Sequence, residues 1–202
     1  MATVLEHPTE QKVVEDQAPK LRRFTVEEYY KMGEAGVLRP DERVELLEGV
    51  ILAMSPKGIK HAFANDRACK FFIKRLDDRA VVRNQNPIRL NDASEPEPDI
   101  VLAALPEEKY LEHHPTPPEI LLILEVAGST LSTDRKVKTR LYAQAGIIQY
   151  GILNVEAGEL EDYREPSAEG YRSKQTYTAQ QSFSLVAFPD VTIAISELLP
   201  PV

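Results

Sequence analysis

The sequence has only one cysteine, Cys69, in its 202 residues, which excludes a disulfide scaffold or a cysteine-built zinc site within one chain. No run approaches the roughly 18 apolar residues of a membrane span, and residues 1–20 lack the basic-then-apolar pattern of a signal peptide. A cytoplasmic protein without membrane attachment is therefore expected. Walker-type GxxxxGK, GxSxG and dinucleotide glycine motifs are all missing, so nucleotide hydrolysis, esterase chemistry and Rossmann cofactor binding lose their main support. Internal repeats and low-complexity tracts are missing too. Basic charge is in deficit: 24 Lys and Arg face 32 Asp and Glu, a net charge of -8. That balance argues against a protein that coats nucleic acid nonspecifically.

The charge is unevenly placed. Between Lys57 and Arg89 nine basic residues face three acidic ones, a local +6 that leaves -14 elsewhere. Such asymmetry permits a polyanion site on an acidic protein, although a solvated helix face gives the same pattern. The length suits a single domain with a substantial core. Residues 1–22 are polar and aperiodic, the pattern of a flexible arm, and residues 23–202 form the expected domain.

Thr25 and Glu28 fit a capping box that opens a short helix ending near Glu34. RVELLEGVILAMSP reads as a hairpin about Glu48-Gly49, the glycine supplying positive φ. His61 to about Asp77 is an amphipathic helix with Ala68, Cys69, Phe72, Ile73 and Leu76 inward. Strands are expected at about Val81–Leu90, Asp99–Ala103 and Ile120–Val126, the last central because it is almost entirely apolar. Ser132 or Thr133 can cap the next helix and Gly146 can end it, followed by a strand in IIQYGILNV. An alternating tail from Glu159 to Ile195 reads as an antiparallel extension. The order predicts an α/β domain, a mixed sheet flanked by helices with a hairpin in front and strands behind.

One residue breaks the apolar pattern in the helix after Ser132. At helical period, Val137, Leu141, Tyr142 and Ala145 form an inward stripe, and Lys138 lies on it. A buried ammonium needs anionic partners. The nearest along the chain are Glu125, near the end of ILLILEV, and Asp99, which opens DIVLA after Pro98. An acid at a strand end is commonly a solvated cap, but Glu125 interrupts a buried run, where an ionised carboxylate is seldom left unpaired. Two carboxylates and a lysine converging at strand ends suit metal-assisted phosphodiester hydrolysis. Mg²⁺ accepts one or two carboxylates plus waters and phosphate oxygens, while a lysine can orient or deprotonate the attacking water and stabilise the transition state.

EPEPDIVLA, ILLILEVAGSTLSTDRKVKTRLYAQAGIIQYGILN and VELLEGVILAMSP resemble the Uma-type endonucleases, a bacterial branch of the PD-(D/E)XK restriction-endonuclease-like superfamily, over roughly residues 22–195. The most specific stretch is Glu125 to Asn154, with a strand glutamate, a DRxxK helix start, a YAxAG helix end and a strand in the family's order. Pro98-Asp99 is similar to the PD half of the motif. The resemblance implies a restriction-endonuclease-like fold, Mg²⁺ or Mn²⁺ held by Asp99 and Glu125 with the Val126 carbonyl as a third ligand, Lys138 as the catalytic lysine, and a homodimer. The chain departs from the pattern twice. The usual lysine position, two residues after the second acid, holds Ala127, so the lysine must come from the following helix; Gly151 stands where the family commonly has tryptophan, a change of packing or interface.

Glu45 and His61 are accessory candidates, with a surface acid and a helix cap as their respective alternatives. Arg67, Lys70 and Lys74 form the candidate phosphate-contacting face, and Lys136 lies outward beside Arg140. His113 and His114 have no third ligand at zinc spacing. The combined expectation is a metal-dependent endonuclease acting on DNA; the alternative is a catalytically inactive nuclease-like module that binds nucleic acid or protein.

Overall fold

The computed structural model describes residues 21–76 and 78–201. The expected arm therefore lies outside the described residues except for its last two positions. Helix α1 (Val26–Glu34) opens as expected: the Thr25 hydroxyl accepts the Glu28 N–H, and the Glu28 carboxylate accepts the Thr25 N–H. Strands β1 (Val44–Leu47) and β2 (Val50–Ala53) pair about Glu48 and Gly49, both at positive φ. Gly49 is required for space as well as φ, since a Cβ there would lie 2.6 Å from the Arg23 Cβ and 2.9 Å from the Phe24 carbonyl oxygen.

Helix α2 (Ile59–Leu76) buries Ala64, Ala68, Phe72 and Leu76, a strict i, i+4 row. This shifts the expected stripe: Asn65 is buried against Asn84 of the next strand, Cys69 is half-buried against the core, and Ile73 is 49 % exposed. Strand β3 (Val81–Asn84) is shorter than expected. Gln85 turns to positive φ and donates its N–H to the Asp99 carbonyl, which ends the extended run.

Strands β4 (Ile100–Ala103), β5 (Ile120–Ala127), β6 (Gln149–Asn154), β7 (Glu159–Ser167) and β8 (Gly170–Thr178) join β3 in one six-stranded sheet, ordered β3-β4-β5-β6-β7-β8. Only β5 and β6 run parallel; the other pairs are antiparallel. A parallel pair needs a crossover. It is supplied by α3 (Leu131–Thr133), a π-helical turn (Asp134–Lys138) and α4 (Thr139–Gln144). Gly146 ends the crossover at φ +82°, with Ile147 donating to the Tyr142 carbonyl and Gly146 to Ala143, a Schellman closure. The crossover begins earlier than expected, after Thr130, and neither Ser132 nor Thr133 caps it.

The central position expected of β5 is observed. Leu122, Leu124 and Val126 pack in the core under α2, whereas Ile123 and Ala127 join Leu141, Tyr142, Tyr150 and Ile152 under α4. The tail follows expectation through β7 and β8 and then departs from it: β9 (Ser182–Ser184) and β10 (Thr192–Ala194) form their own hairpin. No helix among the described residues is long and apolar enough to cross a membrane.

Candidate active site

Alternation along β5 puts Glu125 on the same face as Ile123 and Ala127, the face covered by α4. Antiparallel pairing matches Ile100 with Leu124 and Val101 with Ile123, so one further step sets Asp99 opposite Glu125. The two strand ends are tied through these acids. Val126 N–H donates to Asp99 Oδ2 at 2.9 Å, and Asp99 N–H donates to Glu125 Oε2 at 3.3 Å. The Val126 carbonyl points to the same edge as its N–H, as both groups of one strand residue do.

Lys138 is 7 % exposed, and its ammonium lies 2.9 Å from Glu125 Oε1. Longer ion pairs reach Glu45 at 3.8 Å and Asp134 at 3.9 Å. The π turn shapes this approach. The Asp134 carbonyl accepts the Thr139 N–H, the Thr139 hydroxyl at 2.8 Å and the Tyr150 hydroxyl at 3.3 Å, donors that widen the helical ladder where Asp134 and Lys138 turn inward. Tyr142, fully buried, donates its hydroxyl to Glu125 Oε1 at 3.0 Å. Around Asp99 Oδ1 stand His61 Nε2 at 3.1 Å, Gln85 Nε2 at 3.2 Å and Lys57 Nζ at 4.0 Å.

Glu45, Lys57, His61, Asp99, Glu125, Asp134 and Lys138 line one cleft of about 770 Å³ between the β1–β2 hairpin, the start of α2 and the crossover, with Gln85 and Tyr142 supporting the two acids from behind. Glu45, Asp99, Glu125 and Asp134 are all buried there, against Lys138 as the one fully buried cation among the lining residues. Burial pushes the Glu125 carboxyl up; Lys138 pulls it partly back, and Asp99 and Asp134 push it further, to about 8. Burial raises Asp134 as well, with Lys138 opposing. Asp99 goes the other way, because His61, the Val126 N–H and Lys138 together outweigh its burial and hold it below the usual carboxylate range. Burial alone lowers Lys138, but the charges of Glu125, Glu45 and Asp134 outweigh it and keep the ammonium charged.

An all-oxygen donor set with surplus buried negative charge suits a hard divalent cation. One Asp134 oxygen, Oδ2, is buried without a hydrogen-bond partner, a further sign of a cleft short of donors and cations. Among the described residues no three His, Cys, Asp or Glu side chains are arranged to hold a metal ion by themselves. The donors that fit are the two strand-end carboxylates, with waters and substrate oxygens completing the shell.

Of the residues singled out in the sequence, Asp99, Glu125, Lys138, Glu45 and His61 come together in this cleft. Glu45 is a buried acid, with Oε2 accepting the Glu97 N–H at 3.2 Å. The basic face stands apart. Lys70 and Lys74 are exposed farther along α2, and Arg67 donates to the Glu197 and Ser196 carbonyls at 2.7 and 3.3 Å. Lys136 is exposed. His114 pairs with the Tyr30 hydroxyl at 3.0 Å, while His113 Nδ1 donates to the His114 carbonyl at 2.9 Å. Sequence reasoning missed Asp134, Lys57, Gln85 and the hydroxyl of Tyr142. Asp134 was findable, since it lies four residues before Lys138 on the same helical face. Nothing local marks Lys57 or Gln85, which arrive from separate loops.

A family model described as Uma2, putative restriction endonuclease, matches residues 26–196. Among solved structures, the chain is similar to a putative nuclease belonging to DUF820 from Anabaena variabilis. The TM-score is 0.68 at 14 % identity, covering 87 % of this chain and 97 % of the other. No curated protein matches.

Proposed function

This chain belongs to the Uma2 family of putative restriction endonucleases, and from that membership we propose that it is a Mg²⁺- or Mn²⁺-dependent endonuclease hydrolysing phosphodiester bonds in DNA. Asp99, Glu125 and the Val126 carbonyl are the proposed metal ligands. The bound cation supplies Lewis-acid polarisation of the phosphate and a more acidic water. Lys138 orients the attacking water and places positive charge beside the phosphate oxygens as negative charge builds on them. Tyr142 steadies Glu125, and His61 and Gln85 fix the Asp99 carboxylate from the other side. Lys57 and Lys60, both lining the cleft, offer the nearest contacts for the flanking phosphates.

The observation that carries this reading is the meeting of a buried lysine with two opposed strand-end carboxylates in an open cleft. Cutting both strands of a duplex with one site per chain is most simply met by a two-fold homodimer, which light scattering at micromolar concentration checks. The deciding experiment is nicking of supercoiled plasmid by wild type with Mg²⁺ or Mn²⁺. Activity that disappears in Asp99→Ala supports the endonuclease. Plasmid binding without metal-dependent cleavage moves the chain to the inactive nucleic-acid-binding module.

A further inference from the structure

The Lys138 ammonium sits among three carboxylates but is hydrogen-bonded to only one of them. Glu125 holds it at 2.9 Å, whereas Glu45 and Asp134, at 3.8 and 3.9 Å, are beyond hydrogen-bond distance. Asp134 is 2 % exposed, and its main chain is firmly held: the carbonyl already takes the Thr139 N–H, the Thr139 hydroxyl and the Tyr150 hydroxyl. Its side chain is the opposite case. Oδ2 is buried with no hydrogen-bond partner, which holds for only one other buried side-chain nitrogen or oxygen among the described residues, the Arg83 Nε. A carboxylate locked at its backbone, with Oδ2 unpartnered and Oδ1 lying 3.9 Å from the Lys138 ammonium, is a waiting acceptor just beyond hydrogen-bond reach.

We propose that Asp134 is the positioning residue of Lys138: it receives the ammonium when Glu125 turns its lone pairs to a divalent cation. The inference rests on the metal-binding reading above and adds a residue to it. In the structure Lys138 competes for the Glu125 oxygens, so a cation can take Glu125 fully only if the ammonium has another anionic partner within a short side-chain movement. Asp134 differs from Glu45 in carrying a buried oxygen with no partner, whereas Glu45 turns Oε1 toward the ammonium at 3.8 Å while its Oε2 accepts the Glu97 N–H. The π turn sets the geometry by presenting Asp134 and Lys138 together on the cleft side.

The test is a double-mutant cycle read by calorimetric titration of Mn²⁺ into full-length protein, without any assay of cleavage. Asp134→Asn keeps the side chain's shape and removes its charge. It is expected to weaken Mn²⁺ binding about ten-fold, because Lys138 then stays on Glu125. In a Lys138→Met background the same substitution is expected to change affinity little, since no ammonium competes for Glu125. An equal loss in both backgrounds means that Asp134 acts through bulk charge or direct ligation, and overturns the proposal; so does no loss in either. If Asp134→Asn disturbs the π turn, as judged by circular dichroism, Asp134→Ser carries the same cycle. Wild-type protein that binds no Mn²⁺ removes the metal-binding reading and this inference together, whereas wild-type binding without coupling removes the inference alone.

Discussion

Asp99 and Glu125 face each other across the ends of β4 and β5, and each accepts a backbone N–H from the other's strand: Glu125 from Asp99 itself, Asp99 from Val126. This reciprocal tie fixes two carboxyl groups side by side where the next strand residues leave a cleft. It also gives them different environments. Asp99 is surrounded by donors and kept ionised, while Glu125 is buried deeper and pushed up to about 8.

That shift makes the metal-free protein sensitive to alkali. A carboxyl whose folded value lies above its unfolded value keeps its proton better in the native state, so its protonated form favours folding. The stabilisation is full below about 4.5, the ordinary value, and is lost as pH rises toward about 8. Urea denaturation in EDTA is expected to show stability falling across this window, by at most about 1.4 kcal/mol per pH unit for one proton. Glu125→Gln, which has no proton to lose, flattens the profile. An unchanged slope in that variant assigns the titration to another group.

The two neighbouring lysines separate by face. Lys138→Met keeps the aliphatic stem beside Leu141 and Tyr142 but removes the ammonium, and plasmid nicking is expected to fall by about two orders of magnitude with Mn²⁺ binding retained. Lys136→Met, at an exposed position, is expected to stay within a few-fold of wild type. Equal losses from the two place the catalytic ammonium elsewhere.

Gly151 tests packing. A Cβ there would lie 2.8 Å from Leu124 Cδ1 and 3.4 Å from Leu160 Cδ1, and both leucines are fully buried. Gly151→Ala is expected to destabilise by about 1–3 kcal/mol in urea. Combined with Leu124→Ala it should lose less than the sum of the two single changes, because the second substitution opens the space that the first requires. Additive losses would mean that the methyl is accommodated by movement elsewhere.

Phosphate contact along α2 is expected to be graded by distance from the cleft. Helical rise puts Lys74 about 21 Å beyond Lys60 along the axis. Charge reversal at Lys57 and Lys60 is expected to flatten the salt dependence of DNA binding by roughly 0.9 of log–log slope per lost contact. Reversal at Lys70 and Lys74 should do less. Arg67→Ala is expected to show mainly as lost thermal stability, since its guanidinium holds two carbonyls of the C-terminal turn. A larger salt effect from Lys70 and Lys74 returns the DNA path to the outer face of the helix.

The sequence by itself determined what is local. The Thr25–Glu28 box, the Glu48-Gly49 hairpin, the Schellman end at Gly146 and the buried run of β5 each depend on residues a few positions apart, where capping geometry, backbone freedom and side-chain period act directly. Lys138 was legible for the same reason, as a charge on an apolar stripe. Local rules failed where a distant partner intervenes. β3 stops at Gln85, whose N–H goes to the Asp99 carbonyl; Ile73 is left exposed while Asn65 turns in to meet Asn84; and β9 and β10 pair with each other instead of extending the sheet.

Only the tertiary structure decided the register that sets Asp99 opposite Glu125, the π turn that brings Asp134 inward with Lys138, and the convergence of Lys57, His61 and Gln85 on one carboxylate oxygen. A charge in sequence carries no direction. It acquires one when strand pairing and a crossover helix fix its neighbours, and burial then turns spacing along the chain into electrostatic energy.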